Sequence, residues 1–367
     1  QLKSICRNVI DLSSMDPANI VEKFGGALIL LEQGQTGAEQ VVLGLAVEKP
    51  DSAVLMVSDN LPVHIVRALM KIEASDILPV SAGADEILES VERIRAAAEA
   101  AESGGDGPAS AVCWAFRGAV GGAGVSTLAI ESAFAICEKV GPGKVCLVDL
   151  NVSDGMISSF LEAVPKLDLA ALSAAPERLD ARLLAAWCWQ HEDGVSTISA
   201  PRNPDADALA TEAAILRLLD VACAEFPFVL VDMPRHMMPW TKPILGAVDE
   251  AIIISELTVP SLHAAADMAR EVDMLRGPDR KAKLVLNRMF PKKFAVDKAE
   301  KAIDRQIDAT ITSDWDAART AVNLGKPIGD VKPKSALVAD VSTLVDKMMP
   351  DAARQPVQQV SGKRKAK

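Results

Sequence analysis

The chain has 367 residues, of which 49% are hydrophobic and 24% are charged. This composition is typical of a globular protein, and the length leaves room for two domains. Binding to nucleic acid through a broad basic face requires clustered Lys and Arg, and the formal net charge of -11 disfavours it. We therefore expect no sequence-specific nucleic-acid partner.

The cysteines, the histidines and the apolar runs favour a cytoplasmic location. The six cysteines include no CxxC pair, and the four histidines lack the spacing of metal ligands. No apolar run approaches the roughly 18 to 20 residues that a membrane-spanning helix needs, and the start at Gln1 lacks a signal-peptide pattern. These features predict buried thiols in a reducing compartment and at most peripheral membrane association.

Residues 1–98 show the alternation of a small parallel α/β domain. Two short apolar runs alternate with three helix-like stretches, in the order Ala27–Leu31, Gly37–Val47, Ala53–Val57, Pro62–Ile72 and Ala84–Ala98. Before the first of these runs only Ile5–Leu12 stands out. Trimming of a chain that begins with Gln1 rather than Met would explain a missing first strand.

Residues 99–111 predict a linker, because they are rich in Gly, Ser, Pro and acid and have no periodic apolar face. Residues 112–350 predict a larger, doubly wound domain with a mostly parallel sheet. Its predicted strands are Val112–Phe116, Lys144–Asp149, Phe228–Asp232, Glu250–Ser255 and Lys283–Asn287. Residues 351–367 form a tail that carries Lys and Arg, and we expect it to be solvated and disordered.

A glycine-rich segment of the second domain is the strongest chemical signal. It reads Ala119-Val-Gly-Gly-Ala-Gly-Val-Ser-Thr127 and lies between an apolar strand and a helix. Glycines allow successive backbone N–H groups to turn inward around a phosphate, and the helix N-terminus adds the positive end of its dipole. A dinucleotide fingerprint is the alternative, since Gly122-Ala-Gly124 begins a GxGxxG pattern, but Thr127 stands at its third glycine position. The segment therefore favours a mononucleotide-phosphate loop.

Three later strands end in polar residues. Asp149 and Asp232 close two apolar strands, and Asn287 and Arg288 follow a third. Because binding residues of a doubly wound sheet gather at the carboxyl ends of its strands, we expect these side chains at the same edge as the glycine loop. Taken singly, each acid is as readily explained as a turn residue at the end of a strand.

In this order the motifs resemble those of the ParA/MinD family of P-loop ATPases. The resemblance implies binding of ATP or ADP with Mg²⁺, with Ser126 and, through water, Asp232 at the metal. It also implies that the adenine ring lies against the Asn-Arg pair. The nucleotide-binding residues that it implies are Gly121, Gly122, Ala123, Gly124, Val125, Ser126, Thr127, Asp149, Asn287 and Arg288.

The chain departs from the family pattern at three positions. Val120 stands where the family has a lysine that reaches across a dimer, and Val125 stands where it has the phosphate-bridging lysine. Asn151 stands where the family has the acid that positions the attacking water. Removing an electrostatic clamp of this kind commonly lowers a rate by about 10²–10³-fold. We assign no catalytic residue beyond Asn151 at the water site, and we expect ATP hydrolysis to be weak or absent.

The domain order resembles the CpaE/TadZ-type pilus-assembly branch of this family, in which a receiver-like (flavodoxin-like) domain precedes the ATPase. A working receiver needs an acidic pair, an acceptor Asp, a hydroxyl residue and a Lys. Here Glu32 falls near the acceptor position, Ser58 matches the hydroxyl, and Val80 stands at the lysine position. The acidic pair is not evident, so we expect a docking or dimerisation surface that takes no phosphoryl group.

Three functions are compatible with these motifs. The first is a localisation scaffold of Tad/Flp-type pilus assembly, a homodimer with bound ATP that recruits pilus and secretion machinery at a cell pole or at the inner face of the membrane. The second is an active ATPase that positions cell machinery, and the third is an interaction module that binds no nucleotide. The missing lysines and the acidic composition favour the first.

Overall fold

The computed structural model describes most of the chain from residue 28 to residue 350. The described ranges are residues 28–32, 37–48, 52–58, 61, 65, 68–69, 72, 74–83, 86–94, 111–277, 280–290 and 296–350. The predicted segment Ile5–Leu12, the predicted linker up to residue 110 and the basic tail 351–367 lie outside these ranges, as does the side chain of Glu32. Within the described residues, every helix is too short or too polar to span a lipid bilayer.

The chain divides into two compact units, residues 1–110 and residues 111–367. The first unit contains a three-stranded parallel sheet with the strands in chain order, β1 Leu28–Glu32, β2 Ala53–Val57 and β3 Ala74–Leu78. Helix α1, Ala38–Glu48, follows β1, and residues 86–94 are also helical. One apolar core joins β1, β2, α1 and the helical residues beyond β2, and it contains Ile29, Leu31, Val41, Val42, Leu45, Val54, Met56, Ile65, Leu69 and Ile72.

The second unit is built on an eight-stranded sheet with the order β11-β10-β9-β4-β8-β5-β7-β6. All pairings are parallel except that of β6 with β7. The strands are β4 Val112–Gly118, β5 Val145–Asp149, β6 Trp189–Gln190, β7 Val195–Ile198, β8 Phe228–Asp232, β9 Glu250–Glu256, β10 Lys283–Met289 and β11 Ala309–Thr312. The prediction of an α/β protein with mostly parallel sheets is confirmed.

Helices cover both faces of this sheet, as parallel strands require. The first face carries α2 Val125–Val140, α3 Ile157–Phe160, α11 Trp315–Asn323, α12 Ile328–Val331 and α13 Ala336–Met348. The second face carries α4 Leu169–Ala174, α5 Ala181–Trp187, α6 Ala206–Leu209, α7 Glu212–Glu225, α8 Thr241–Ala247, α9 Val259–Arg276 and α10 Val296–Ile303. Each face has its own core. The apolar stripe predicted near the C-terminus packs onto the first face through α13.

The central strand β4 shows how the sequence supplies both layers. Successive side chains of a strand point to opposite faces, so Trp114 and Phe116 enter the core of the first face while Cys113 and Ala115 enter the core of the second. Arg117, the next residue, is also buried. β4 leads directly into the glycine-rich loop, and its central position places that loop at the middle of the sheet edge.

Four strands, β3, β6, β7 and β11, were not among those predicted. β6 has only two residues. β3, β7 and β11 are short and carry Ser, Thr or Asp inside the strand, which interrupts the apolar run that marks a buried strand. The fold accommodates some of these polar groups through hydrogen bonds. In β3, for example, the Asp76 carboxylate accepts hydrogen bonds from Ser90 Oγ at 2.5 Å and from Arg93 Nη2 at 2.6 Å.

Arg276, the last residue of α9, ties that helix to the turn between α8 and β9. Its guanidinium donates hydrogen bonds to the carbonyl oxygens of Leu245 at 3.0 Å, Val248 at 2.6 Å, Asp249 at 2.6 Å and Arg280 at 2.7 Å. The side chain is buried. One cation therefore satisfies three carbonyl groups of residues 245–249 and a fourth in the segment after α9.

We predict that Arg276→Leu lowers the free energy of unfolding by ~2–3 kcal/mol, because it removes the donor to the buried carbonyl oxygen of Leu245 and one of the two donors to that of Val248. Arg270→Leu on the same helix is the matched control, since its ion pair with Asp267 is exposed on both sides; we expect a change within ~0.5 kcal/mol. Urea unfolding followed by tryptophan fluorescence reports on the second unit, which contains all five tryptophans. Equal losses in the two variants would contradict the prediction.

Candidate functional site

The glycine-rich loop leaves the N-terminus of α2 without a side-chain cap. Gly124, the residue before the helix, has φ of 90° and Gly122 has φ of 76°, the left-handed region that favours glycine. Within the described part of the chain, no side chain accepts a hydrogen bond from the first N–H groups of this 16-residue helix. Gly121 and Gly122 are exposed, and nothing lies within 4 Å of a Cβ built on either. The loop therefore presents free amide donors and the positive end of a helix dipole at an open surface.

Ser126 and Asp232 meet directly below this helix N-terminus. Ser126 Oγ donates a hydrogen bond of 2.5 Å to Asp232 Oδ2, which joins the first turn of α2 to the end of β8. Asp149 ends the neighbouring strand β5 and lies opposite Asp232 in the sheet register. Both carboxylates are buried. The structure thus brings together the hydroxyl and the two strand-end acids that the sequence singled out.

Burial shapes the electrostatics of the two acids. It raises the pKa of Asp149 well above its usual range, and the nearby Asp232 carboxylate adds to that increase. Burial also raises the pKa of Asp232 to about 7, against a smaller lowering by the Ser126 hydrogen bond. Asp149 accepts hydrogen bonds only from backbone N–H groups of Asn151 and Ile157 in the described chain. Neither carboxylate forms an ion pair with a Lys or Arg among the described residues.

This arrangement fits Mg²⁺ in company with phosphate oxygens. Mg²⁺ takes oxygen ligands, retains water, and is commonly bound through one or two protein groups plus substrate phosphates. Ser126 and Asp232 supply a hydroxyl and a carboxylate of the kind that hold Mg²⁺ in P-loop proteins. Among the described residues, no cluster of three or more His, Cys, Asp and Glu forms an all-protein metal cage. The two oxygens beside an anion-binding loop are therefore the groups that would hold the ion.

The segment after β5 packs tightly against Asp149. A Cβ on Gly155 would lie 2.4 Å from Asp149 Oδ2 and 2.6 Å from the carbonyl oxygen of Asn151, so only glycine fits there. The backbone N–H of Asn151 donates to Asp149 Oδ1 at 3.1 Å. Asn151 is half-buried at the same sheet edge as the loop. Its use in positioning water stays a prediction.

Asn287 contacts the phosphate loop itself. Its Nδ2 donates a hydrogen bond of 2.8 Å to the carbonyl oxygen of Ala123, and its Oδ1 accepts one of 2.8 Å from the backbone N–H of Arg288. A Cβ on Gly124 would lie 2.3 Å from Asn287 Nδ2. The buried amide therefore braces the loop, a role that the sequence analysis did not foresee. Contact with an adenine ring stays a prediction.

Arg288 turns out of the sheet at the end of β10. Its φ of 58° is uncommon for a residue with a side chain. Its Nη1 donates to Glu256 Oε1 at 2.7 Å, and its guanidinium carbon lies 5.7 Å from the centroid of the Trp315 ring. Trp315 was not predicted as a site residue. The available signal was a single aromatic in the polar run Ser313-Asp-Trp-Asp316 after a strand.

Arg117 is a second residue that the sequence analysis missed. It lies in β4 just before the loop, and its Nη2 donates hydrogen bonds to the carbonyl oxygen of Arg235 at 2.8 Å and to Met237 Sδ at 3.0 Å. Burial lowers the pKa of this guanidinium. Arg117 thereby connects the strand that leads into the loop with the segment that follows Asp232. A charge inside an apolar strand was the signal for it.

The two valines at the lysine positions are part of the apolar packing. Val120 and Val125 are partly buried and pack against the core of the first face. Val125 Cγ2 lies so close to Gly118 that a Cβ added there would be 2.8 Å away. Apolar contacts therefore hold the loop at the two positions where the resemblance implies a lysine.

Glu131 links α2 to the short helix α12. Its Oε1 accepts a hydrogen bond of 2.7 Å from the backbone N–H of Ile328, and its Oε2 accepts one of 3.3 Å from that of Gly329. Burial raises the pKa of Glu131 to about 7, and Asp330 and Glu138 act in the same direction, against the two backbone hydrogen bonds. The carboxyl group therefore takes up a proton well above the ordinary glutamate range.

We predict that Glu131 makes the second unit less stable as the pH rises from 4.5 to about 7. The folded chain keeps a proton that the unfolded chain releases across this window, so this contribution to stability is complete below pH 4.5 and lost above about 7. The total change is ~3 kcal/mol. Urea unfolding at pH 5, 6, 7 and 8 should show a fall that is larger in the wild type than in Glu131→Gln by up to this amount, because the raised pKa values of Asp149 and Asp232 make both proteins less stable as the pH rises. Parallel profiles for the two proteins would show that Glu131 is ionised throughout.

No protein-family model matches the chain. Two curated proteins of Mycobacterium tuberculosis, from strains CDC 1551 and H37Rv, are each 30% identical over 197 residues, and both are described as uncharacterised. The match covers 52% of this chain and 53% of each relative, so the chain spans about half the length of the curated relatives it matches.

Solved structures match over 65% of the chain. A ParA family ATPase from Chlorobium tepidum has a TM-score of 0.59 at 24% identity and is covered to 98%. The septum site-determining protein MinD from Pyrococcus horikoshii, complexed with Mg-ADP, has a TM-score of 0.53 at 16% identity and is covered to 95%. A MinC:MinD complex from Aquifex aeolicus matches with a TM-score of 0.50 at 17% identity, and 98% of the matched chain is covered. The eight-stranded unit therefore has the fold of the ParA/MinD-type P-loop ATPases.

Proposed function

We propose that this protein binds ATP or ADP with Mg²⁺ and hydrolyses ATP weakly or not at all. The observation that carries the proposal is the uncapped N-terminus of α2 above the hydrogen-bonded pair of Ser126 and Asp232. The amide donors of the first helical turn suit phosphate oxygens, and the hydroxyl-carboxylate pair suits the accompanying Mg²⁺. The Mg-ADP bound to the matched MinD of Pyrococcus horikoshii supports this choice of ligand.

Three positions support the low turnover. Apolar contacts replace positive charge at Val120 and Val125, and Asn151 replaces an acid at the water site. Phosphoryl transfer depends on cations that neutralise charge on the transferred group and on a residue that orients the nucleophile. The bound nucleotide then acts as a ligand that stabilises the folded dimer by mass action. There are two alternatives to this proposal. In the first, other groups take the place of the lysines and keep the ATPase active. In the second, the protein is an interaction module that binds no nucleotide.

We further propose a homodimer that acts as a localisation scaffold of a Tad/Flp-type pilus machine, in the cytoplasm at a cell pole or at the inner face of the membrane. The order of the two units agrees with that of the CpaE/TadZ-type proteins that the sequence resembles. The parallel order β1-β2-β3 agrees with the last three strands of a flavodoxin-like sheet. In this proposal the first unit recruits pilus and secretion proteins, and the MinC partner of the matched MinD supports recruitment by such a fold.

We predict saturable binding of Mg-ATP with a dissociation constant that is micromolar at best, measured by calorimetry. Gly124→Ala should weaken it at least about 10-fold, because the added Cβ conflicts with the amide of Asn287 and the left-handed backbone resists a side chain. Gly246→Ala in α8 is the matched control, because nothing lies within 4 Å of the added Cβ. It should bind ATP like the wild type. No saturation up to millimolar ATP would favour the module that binds no nucleotide.

We also predict a gain of ATPase activity from Val125→Lys. The wild type should show near-zero turnover in a phosphate-release assay, and the restored cation should raise the rate by about 10- to 100-fold. Adding Asn151→Asp should raise it further. The control is Val125→Lys with Asp232→Ala, which removes the metal-binding carboxylate and should return turnover to the wild-type level. Robust wild-type hydrolysis that Asp232→Ala abolishes would instead establish an active ATPase.

A further inference from the structure

Three thiols lie close together in the core of the second face of the main sheet. Cys146 is the second residue of β5, Cys188 directly follows α5, and Cys223 lies in α7. Cys146 is fully buried in this core, and the other two are half-buried and pack against it. All three are free thiols. The cluster lies outside the candidate nucleotide site, because α2 and the core around it belong to the first face.

Two of these thiols contact each other. Cys146 donates a hydrogen bond to the sulfur of Cys188, and this bond, together with burial and the nearby Cys188 and Cys223, raises the pKa of Cys146 well above its usual range. The same hydrogen bond lowers the pKa of Cys188, against the effect of burial. The two thiols therefore differ in character, since Cys188 is the one that ionises and Cys146 keeps its proton.

Lys166 adds a cation beside Cys188. Its Nζ donates a hydrogen bond of 3.2 Å to the carbonyl oxygen of Cys188, and its charge also lowers the pKa of the Cys188 thiol. Cys188 is partly open to solvent, whereas Cys146 is closed off from it. Reactive cysteines are partly exposed and lie beside positive charge, because the thiolate is the nucleophile. Cys188 has both properties.

The arrangement suits oxidation better than metal binding. Within the ranges that the structure describes, no group of three or more His, Cys, Asp and Glu side chains is placed to hold a metal ion. An oxidised cysteine condenses with a neighbouring thiol to form a disulfide, and redox-sensing cysteines often have such a resolving partner. The hydrogen bond places the Cys146 thiol in that position next to Cys188.

We propose that Cys146 and Cys188 form a dithiol pair that a peroxide converts into a disulfide. In the first step the Cys188 thiolate attacks an oxygen of hydrogen peroxide. The S–O bond forms, the O–O bond breaks, and the released hydroxide leaves as water with the proton of the Cys188 thiol. Cys188 is thereby oxidised to a sulfenic acid.

In the second step the Cys146 sulfur attacks the sulfenic sulfur of Cys188. The S–S bond forms, the S–O bond breaks, and the leaving hydroxide takes the Cys146 proton and becomes water. Two thiols and one peroxide thus give one disulfide and two water molecules, with the peroxide as the electron acceptor. A dithiol reductant reverses the change by thiol–disulfide exchange.

Peptide mapping tests the pair directly, because trypsin separates the three thiols. Cys146, Cys188 and Cys223 lie in the tryptic peptides 145–166, 183–202 and 218–235. The reduced full-length protein is treated with a small molar excess of hydrogen peroxide, its remaining thiols are alkylated in urea, and the digest is analysed by mass spectrometry. We expect peptides 145–166 and 183–202 to be linked, and a dithiol reductant to abolish the link.

Variants separate the roles of the two cysteines. Cys188→Ser should abolish the linked pair. Cys146→Ala should also abolish it and should leave on Cys188 a sulfenic acid that dimedone traps. Cys223→Ser is the matched control, because it removes the third thiol of the cluster, and it should form the link like the wild type.

Cys137 is the internal control for reactivity. Its thiol donates to the carbonyl oxygens of Gly141 and Asp193, and burial raises its pKa. Iodoacetamide at neutral pH should therefore alkylate Cys188 at least about 10-fold faster than Cys137 in the reduced wild type. A peroxide-dependent link between any other two cysteines, or equal alkylation of Cys188 and Cys137, would overturn the proposal. So would wild-type protein in which Cys146 and Cys188 stay unlinked, and neither result bears on nucleotide binding.

Discussion

The amide groups in the first turn of α2 need acceptors, and no side chain among the residues that the structure describes supplies one. A helix of 16 residues that starts after a left-handed glycine concentrates these donors at one point. The central position of β4 puts that point at the middle of the sheet edge, where β5 and β8 end in the buried acids Asp149 and Asp232. Hydrogen-bond donors that suit an anion thus lie beside carboxylates that suit a cation. This arrangement is complementary to the charges of a metal-phosphate complex.

Two valines determine the charge balance of this site. Val120 and Val125 pack against the core at the positions where the resemblance implies lysines, so the described surroundings of the loop offer amide groups and two buried acids. A free polyphosphate meets no cation at these two positions, whereas its Mg²⁺ complex brings the positive charge that favours the ionised form of the two buried acids, whose pKa values are raised by burial. Nucleotide binding by such a site depends on the metal to a greater degree than in a loop that carries its own cations.

The sequence predicted the elements whose signals are local. Continuous apolar runs revealed β4, β8, β9 and β10, and the glycine pattern revealed the loop that the structure places before α2. β7 and β11 escaped prediction because Ser and Thr inside a strand become acceptable only when neighbouring strands and helices bury them. Contacts between distant residues were equally invisible. Nothing in the sequence around Asn287 indicates that its amide bonds to Ala123, 164 positions away.

In the proposed function, the parts of the candidate site affect binding and turnover differently. The amide groups at the N-terminus of α2 and the pair of Ser126 and Asp232 would contact the metal-phosphate group in the bound complex and in the transition state alike. Contacts of equal strength in both states contribute to affinity and leave the barrier from the bound complex unchanged. The charge that develops on a transferring phosphoryl group is instead stabilised by cations, and the two positions where the resemblance implies lysines carry Val120 and Val125. This division of contacts is the physical reason to expect a nucleotide that is retained with little turnover.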